Sequence, residues 1–424
     1  MRAVFFDAGF FGLEQSFGHQ WLNVVIDLNR KFSLAQLQNA AAALCETFPI
    51  LKCRYVPGFL FDHWLPVEKF SASAIISLAE TVSIEDATAE FIHEPMDAES
   101  GPPWRARLLT SGESSRLILK MLHLAADGAG ALTVTRELGN FLFGLKQASG
   151  PLPNNRGMWQ VLRAVRLKDV PALLLESLGE FLRPAIIPLI PPEELPAVTP
   201  GMELREQYHP VVIAGADYLR LKDRCRRLNC TVNDAVLAAM AELSQHTTRR
   251  RIICMLFTAN LRKYLPSKDP VVGNLSGGNI LTLRRTSLGG FEKTARLVAG
   301  KTGEIKSRIP GLQLILFQLF TYGLLPHGIV RRGATFLARY FNQVMRRATL
   351  MTNIGPMDEY LEPYGEAVRS ACVIGPCIKR LVTPVFVVTG FRDSITIQAC
   401  SWNDLPLEKV RNLCESLRRE LIGP

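Results

Sequence analysis

The sequence lacks the patterns of several common classes of site. Its nine cysteines, spread over 424 residues, form no C-x-x-C pair and no Cys/His cluster with zinc spacing. We therefore expect no metal site, and reduced, mostly buried thiols in a cytosolic protein. The N-terminus carries Arg2 and Asp7 and lacks an apolar run followed by a small-residue cleavage site, so we expect no secretory signal peptide.

Acidic residues are too few to balance the basic ones, and the net charge is +10. Aromatic residues make up 8% of the chain and are not interleaved with the arginine clusters, which argues against nucleic-acid binding. The excess charge fits an ordinary solvated surface. It equally fits attraction to a phosphorylated small molecule, an acidic carrier protein or an anionic membrane face.

Long uncharged runs are also scarce. Residues 309–330 form one, and by length alone this run could cross a bilayer. Its prolines and glycines, among them Pro310, Gly323 and Pro326, argue against a span. We expect a buried or channel-lining helix here, with a helix that dips into a membrane surface as the alternative.

Apolar periodicity predicts two halves built from both strands and helices. In the first half we expect strands at 22–28, 51–55, 59–64, 104–110 and 116–122, and helices at 34–47, 84–96 and 132–145. In the second half we expect strands at 211–216, 252–259, 279–284, 384–390 and 394–400, and helices at 217–228, 232–244 and 404–421. Strands and helices do not alternate strictly, which favours mixed sheets.

A proline-rich stretch separates these halves. We therefore predict an N-terminal lobe at residues 1–150, an inter-lobe connection at 151–205 with a short helix at about 172–181, and a C-terminal lobe at 206–424.

The most informative segment is the hexad His123-Leu-Ala-Ala-Asp-Gly128, an H-x-x-x-D-G pattern at the end of an apolar strand. A histidine in this position is suited to taking a proton near neutral pH. The structural alternative is a core histidine at a strand end, with Asp127 hydrogen-bonded to nearby amides.

The hexad resembles the active-site motif of the CoA-dependent acyltransferase superfamily, which includes chloramphenicol acetyltransferase, alcohol acetyltransferases, wax ester synthases and the condensation domains of nonribosomal peptide synthetases. Further segments resemble this superfamily in order and spacing over nearly the full chain. They are TVNDAVLAA at 231–239, NLR at 260–262, GN at 273–274 and TNIGP at 352–356. The resemblance implies two similar mixed α/β lobes with a solvent tunnel at their interface.

The resemblance also implies roles for the hexad. His123 is expected to be the general base. Asp127 is expected to be structural and to pair with an arginine of the second lobe, for which we predict Arg262. Gly128 is expected to let the backbone approach closely where a side chain would block the tunnel.

Three further residues are candidates for contacts with the substrate or the oxyanion. Thr352 and Asn353 match the family's S-N segment, and Asn274 belongs to its G-N element. For Thr352 and Asn353 the alternative is a capping role in the turn before Gly355, and Asn274 has a similar turn alternative.

The function implied is acyl transfer from a thioester to an alcohol or amine. Acyl-CoA is the expected donor, with an acyl carrier protein as the alternative, and no bound cofactor is expected. The hexad holds a single histidine where typical condensation domains have two, which makes peptide-bond formation less favoured. Two alternative functions stay open: a condensation-type enzyme, and a non-catalytic lipid- or carrier-binding relative at a membrane surface. Peripheral membrane contact of a cytoplasmic enzyme also stays open.

Overall fold

The computed structural model describes most of the chain. The described residues are 1–148, 150–152, 156–163, 165, 166, 168, 170–186, 203–247, 251–267, 269–308, 310–312, 316, 319, 323–334, 348–379, 381 and 383–423.

The described helices lie in both halves of the chain. They are α1 Phe5–Phe17, α2 Leu34–Thr47, α3 Ile84–His93, α4 Gly128–Leu142, α5 Trp159–Leu162, α6 Val170–Ile186, α7 Ala216–Leu228, α8 Val232–Thr247, α9 Phe291–Ser307, α10 Asp358–Leu361 and α11 Leu407–Ile422. The strands are β1 Trp21–Leu28, β2 Cys53–Val56, β3 His63–Pro66, β4 Ile76–Glu80, β5 Trp104–Ser111, β6 Ser114–Leu122, β7 Glu206–Ala214, β8 Ile252–Asn260, β9 Ser276–Arg284, β10 Ala348–Pro356, β11 Val368–Ile374, β12 Val385–Phe391 and β13 Ser394–Trp402.

The first large sheet has five strands in the order β11-β1-β6-β5-β4. Strands β4 and β5 are parallel, and the other pairs are antiparallel. Strand β11 comes from the predicted C-terminal lobe, so the sheet that carries the hexad is completed by residues far along the chain. A small hairpin of β2 and β3 accompanies it.

The second large sheet has six strands in the order β7-β13-β12-β10-β8-β9. Strand β10 runs parallel to both of its neighbours, and the remaining pairs are antiparallel. Both sheets are mixed, which confirms the predicted mixed α/β class. The lobe limits at 150 and 205 and the interface tunnel stay predictions.

Local sequence explains where the helices begin. The Ser33 side chain accepts a hydrogen bond from the Gln36 amide at 3.2 Å, and the Gln36 side chain accepts one from the Ser33 amide at 2.9 Å. The same reciprocal pair forms between Thr231 and Asp234 at the start of α8.

The core falls into clusters that follow the sheets. One cluster combines β1, β6, α2 and α4 with β11, and contains Val24, Leu119, Leu132 and Val373. A second packs α8 and α11 against the six-stranded sheet. All nine cysteines are free, and seven of them are buried.

Several elements differ from expectation. Helix α4 begins at Gly128, four residues earlier than predicted, because Asp127 caps it. The hairpin partner of β2 begins at His63 rather than at residue 59. Elements α1, α9, β4, β10 and β11 were not predicted as secondary structure. Helix α9 does carry a helical period, with Phe291, Ala295, Val298 and Thr302 buried on one face, and it was overlooked. The other segments are uniformly apolar, short, or without a clear period.

Parts of two predicted segments lie outside the described residues. In the proline-rich connection these are residues 153–155, 164, 167, 169 and 187–202, and the predicted helix at 172–181 lies within α6. In the uncharged run, Leu312, Leu316 and Leu319 are buried. Within the described part of the chain, no helix is long and apolar enough to cross a membrane.

Candidate active site

His123 lies directly after the last residue of β6. Its backbone amide donates to the Gln20 carbonyl at 2.8 Å, which continues the pairing of β6 with β1 by one residue. Its ring stacks on Phe10 of α1, with the ring centroids 4.2 Å apart and the planes 19° from parallel. The residue keeps partial solvent exposure. The imidazole is therefore held between a strand end and an aromatic face without being sealed from solvent.

The protonation of His123 is set mainly by its surroundings. Burial lowers the pKa of the imidazole below its ordinary value, and the nearby Asp127 carboxylate opposes that shift only in part. Its Nδ1 atom is buried and accepts or donates no hydrogen bond within the described residues. The ring is thus neutral at pH 7, the form that accepts a proton.

Asp127 caps helix α4 and receives hydrogen bonds on both oxygens. Oδ1 accepts from the Gly130 amide at 2.8 Å. Oδ2 accepts from the Leu275 amide at 2.8 Å and from the Ser276 hydroxyl at 2.7 Å. The carboxylate is buried, and its partners come from a segment about 150 residues further along the sequence. Asp127 therefore ties the hexad to the start of β9.

Arg262 supplies the charge that balances Asp127. Nη2 lies 2.9 Å from Oδ1, and Nη1 donates to Oδ2 at 3.1 Å. Nη2 also donates to the Gly273 carbonyl at 2.9 Å. Burial acts to raise the pKa of Asp127, but the Arg262 charge and the hydrogen bonds from Arg262, Ser276 and Gly130 outweigh it and lower the pKa. The structure thus brings these two sequence-predicted residues together across the chain.

Asn274 holds the other end of the hexad loop. Its Nδ2 donates to the His123 carbonyl at 2.8 Å and to the Leu124 carbonyl at 3.1 Å. Its Oδ1 is buried and has no hydrogen-bond partner among the residues described. Because the amide donors are occupied by the backbone, Asn274 is placed to fix the position of His123.

Strand β10 carries the remaining candidates on two opposite faces. Leu350 belongs to the core cluster of the first sheet and Met351 to that of the second, so alternate residues face different core clusters. Thr352 shares the face of Leu350. Asn353 points the other way, where its Nδ2 donates to the Asn233 side chain at 3.0 Å and its Oδ1 accepts from the Gly355 amide at 2.9 Å.

Gly128 lies against the same strand. A Cβ atom added at Gly128 would lie 2.8 Å from Cδ1 of Ile354, a separation that real Cβ contacts do not show. The start of α4 and the 352–354 segment therefore approach each other closely at the hexad. This contact places Ile354 on the hexad side of β10, and alternation from Leu350 places Thr352 on the face of the first sheet's core cluster.

Asp7 and Arg156 form a second clamp that the sequence analysis missed. Nη1 and Nη2 of Arg156 donate to the two Asp7 oxygens at 2.9 and 3.0 Å, and both side chains are buried. Arg156 also donates to the Ala125 carbonyl at 2.9 Å and, through Nε, to the Val272 carbonyl at 2.9 Å. One available signal was Asp7 itself, a lone charge within the apolar run FFDAGFF, because such a charge needs a buried partner.

Comparison with known proteins identifies the fold. No family model and no curated protein matches the chain. Among solved structures, the trichothecene 15-O-acetyltransferase from Fusarium sporotrichioides matches with a TM-score of 0.70 and 11% identity over 100% of this chain and 95% of that one. The first condensation domain of the CDA synthetase matches with 0.70 and 12%, over 100% and 97%.

A third match is the EpoB cyclization-docking bidomain from Sorangium cellulosum. Its TM-score is 0.66 at 15% identity, over 100% of this chain and 85% of that one. The chain has the fold of these condensation and acetyltransferase domains, over its whole length. The superfamily likeness indicated by the hexad is thereby confirmed as a likeness of fold.

Proposed function

We propose that this protein is an acyltransferase that moves an acyl group from a thioester to an alcohol or amine, with His123 as general base. The observation that supports this most is the environment of His123. It is a partly exposed imidazole with a lowered pKa, and the loop that carries it is clamped by Asp127–Arg262 and by Asn274. Such fixation is what general-base catalysis requires of a proton acceptor.

The chemistry can be written for these residues. The neutral imidazole takes the proton of the acceptor O–H or N–H as that atom attacks the thioester carbonyl. The C–S bond of the tetrahedral intermediate then breaks, and the imidazolium returns the proton to the leaving thiolate. Asp127 does not take part directly, because Gly130, Leu275, Ser276 and Arg262 already occupy its oxygens.

Thr352 is the proposed donor to the oxyanion. Its side chain lies on the hexad face of β10, whereas the Asn353 amide is bonded to Asn233 and the Asn274 amide to backbone carbonyls. A single donor aimed at developing charge contributes on the order of 10²–10³-fold in kcat. Asn353 and Asn274 are accordingly proposed as positioning residues.

The donor is proposed to be acyl-CoA, with no resident cofactor. A condensation-type reaction on carrier-bound substrates is the second candidate, because condensation domains share this fold over the whole chain. The net charge of +10 is compatible with either donor, since CoA phosphates and the acidic surface of a carrier protein are both anionic.

A donor panel tests the proposal. The purified chain is incubated with short- and long-chain acyl-CoAs and with acylated carrier protein, each with alcohol and amine acceptors, and mass spectrometry detects the transferred acyl group. We expect His123→Ala to lose about 10²–10⁴-fold in rate while keeping its fold. His63→Ala, at an exposed histidine of β3, is the matched control and should retain full activity.

Two outcomes would contradict this proposal. If His123→Ala transfers acyl groups as fast as the wild type, His123 is not the base. If the wild type consumes none of the thioesters but binds them, the chain is a non-catalytic binder. Transfer from the acylated carrier alone would favour the condensation-type alternative.

A further inference from the structure

An apolar tip projects from the loop between β2 and β3. Phe59, Leu60 and Phe61 are consecutive, and their exposed fractions are 62%, 58% and 39%. Single exposed apolar residues are common on protein surfaces, but a contiguous group marks an interaction site. The hexad lies on a different strand and makes no use of these side chains.

A second segment extends this surface. In the turn and helix of residues 323–334, Leu324 is 75% exposed and Ile329 is 43% exposed. The Gly328 amide donates to the Phe59 carbonyl at 2.8 Å, and the His327 amide donates to the Leu60 carbonyl at 3.0 Å. A Cβ at Gly328 would lie 2.9 Å from the Phe59 ring. We call Phe59, Leu60, Phe61, Leu324 and Ile329 together the apolar tip.

A buried polar network holds the tip in this conformation. Asp62 is fully buried and accepts hydrogen bonds from the Tyr55 hydroxyl, the Arg331 guanidinium and the Gly58 amide. Its own amide donates to Nδ1 of His327 at 3.1 Å. Burial acts to raise the pKa of Asp62, but the hydrogen bonds that its carboxylate accepts, among them those from Tyr55, Gly58 and Arg331, lower it to about 2.

This network has a structural consequence. Buried ion pairs rarely add net stability compared with apolar packing, so their effect here is to fix geometry. Asp62 directly follows Phe61, and the hydrogen bond that it accepts from the Gly58 amide joins the two ends of the loop. The Arg331 guanidinium also donates to the Gly58 carbonyl at 3.1 Å. Three apolar side chains are thus presented to solvent by a rigid loop, which lowers the entropic cost of inserting them elsewhere.

The rim of the tip is positively charged. The guanidinium carbon of the exposed Arg2 lies 3.3 Å from the centroid of the Phe61 ring, and Arg332 follows Arg331 on the helical segment. Within residues 55–62 and 323–334 the sequence contains one acidic residue, Asp62, and its charge is already paired inside. These two segments, together with Arg2, therefore combine an apolar centre with basic groups, and the two segments themselves carry no exposed acid.

We infer that the apolar tip docks on an anionic lipid bilayer. Apolar side chains that enter the headgroup region and arginines that pair with lipid phosphates are the two contributions that hold a protein at such a surface. The five side chains of the tip are purely apolar and offer no hydrogen bonds, which suits insertion among lipid chains, while the basic groups lie only at its rim, at the level of the lipid phosphates. The inference is independent of the proposed acyl transfer.

Vesicle co-sedimentation of the full chain tests the inference. Vesicles of phosphatidylcholine alone are compared with vesicles that also contain phosphatidylglycerol. We expect binding to the anionic vesicles that weakens with added salt, and a loss of at least about tenfold in the variant Phe59→Ser/Leu60→Ser/Phe61→Ser. The matched control is Val82→Ser/Leu145→Ser/Leu219→Ser, which removes three other exposed apolar side chains and should bind as the wild type does.

Further variants separate the outcomes. His123→Ala should bind vesicles normally, so failed acyl transfer and failed membrane binding are distinguishable. Arg2→Gln/Arg332→Gln should reduce binding to anionic vesicles without changing thermal stability. Equal binding by the tip variant and its control would overturn the inference. So would vesicle-free dimerisation of the wild type that the tip variant abolishes, because the tip would then be covered by a second copy.

Discussion

The Asp127–Arg262 pair offers the sharpest test of how the hexad is held. The side chains of Asp127 and Arg262 are 3% and 13% exposed, so their charges interact largely without water. The variant Arg262→Met keeps much of the side-chain length but leaves a buried carboxylate without its counter-charge. Such a loss typically costs about 3–5 kcal/mol. Because the Gly130, Leu275 and Ser276 donors remain, we expect a loss of about 2–4 kcal/mol in the free energy of unfolding.

A double-mutant cycle isolates the pair. Asp127→Asn removes the charge and turns an amide donor toward groups that are themselves donors, such as the Leu275 N–H. In Asp127→Asn/Arg262→Met the uncompensated carboxylate is gone, so the double variant should lose less than the sum of the single losses. We expect a coupling free energy of about 1–3 kcal/mol from urea unfolding followed by circular dichroism. Losses that add to within about 0.5 kcal/mol would refute the reasoning.

The same pair has a defined pH dependence. The folded pKa of Asp127 lies below its ordinary value of 3.8, so its stabilising contribution is complete above that value and is lost as the pH falls through the lower, folded pKa. In Arg262→Met, burial acts on the carboxylate without the opposing charge, and the folded pKa rises. The variant should therefore begin to lose this contribution at a higher pH than the wild type, in acid titrations followed by fluorescence.

The remaining predictions concern the residues around the base. Because burial lowers the pKa of His123, the acidic limb of kcat/KM should have its midpoint below 6.5, and a midpoint above that value would contradict the assigned environment. Thr352→Val should lower kcat by about 10²-fold with little change in stability, and an unchanged kcat would remove Thr352 as the oxyanion donor. Gly128→Ala should cost about 1 kcal/mol through the contact with Ile354, and adding Ile354→Val should recover part of it in thermal unfolding. Arg156→Met should destabilise the fold by about 2–4 kcal/mol in urea, because it leaves the buried Asp7 carboxylate without its counter-charge while the Trp64 and Val4 donors remain.

The elements with a strong apolar period could be predicted from the sequence. Strands β1, β5 and β6 and helices α2, α7 and α8 lie within a few residues of their expected limits. Helix α1 could not be found in this way, because its aromatic residues come in adjacent pairs, Phe5-Phe6 and Phe10-Phe11, and do not mark a single helical face. Strand β11 is recognisable only through its partner β1, which lies more than 300 residues earlier.

The residues of the candidate site likewise include some that could be predicted from the sequence and some that could not. Asp127 and Arg262 were accessible because each belongs to a short motif of a known superfamily. The Asp7–Arg156 pair belongs to no such motif, and the 149 residues that separate its members hide it from any local pattern. The different orientations of Thr352 and Asn353 could not be known until both faces of β10 had cores assigned to them.

Helix α1 connects this overlooked pair to the proposed base. Asp7 and Phe10 lie three residues apart, within one turn of the helix, so the clamp between Arg156 and Asp7 also anchors the turn of α1 that carries Phe10. That ring stacks on His123. Arg156 also holds the Ala125 carbonyl, two residues beyond the base. One guanidinium therefore fixes the imidazole both through its own loop and through the aromatic face above it. Loss of Arg156 should for this reason impair acyl transfer at denaturant concentrations at which the fold is still intact.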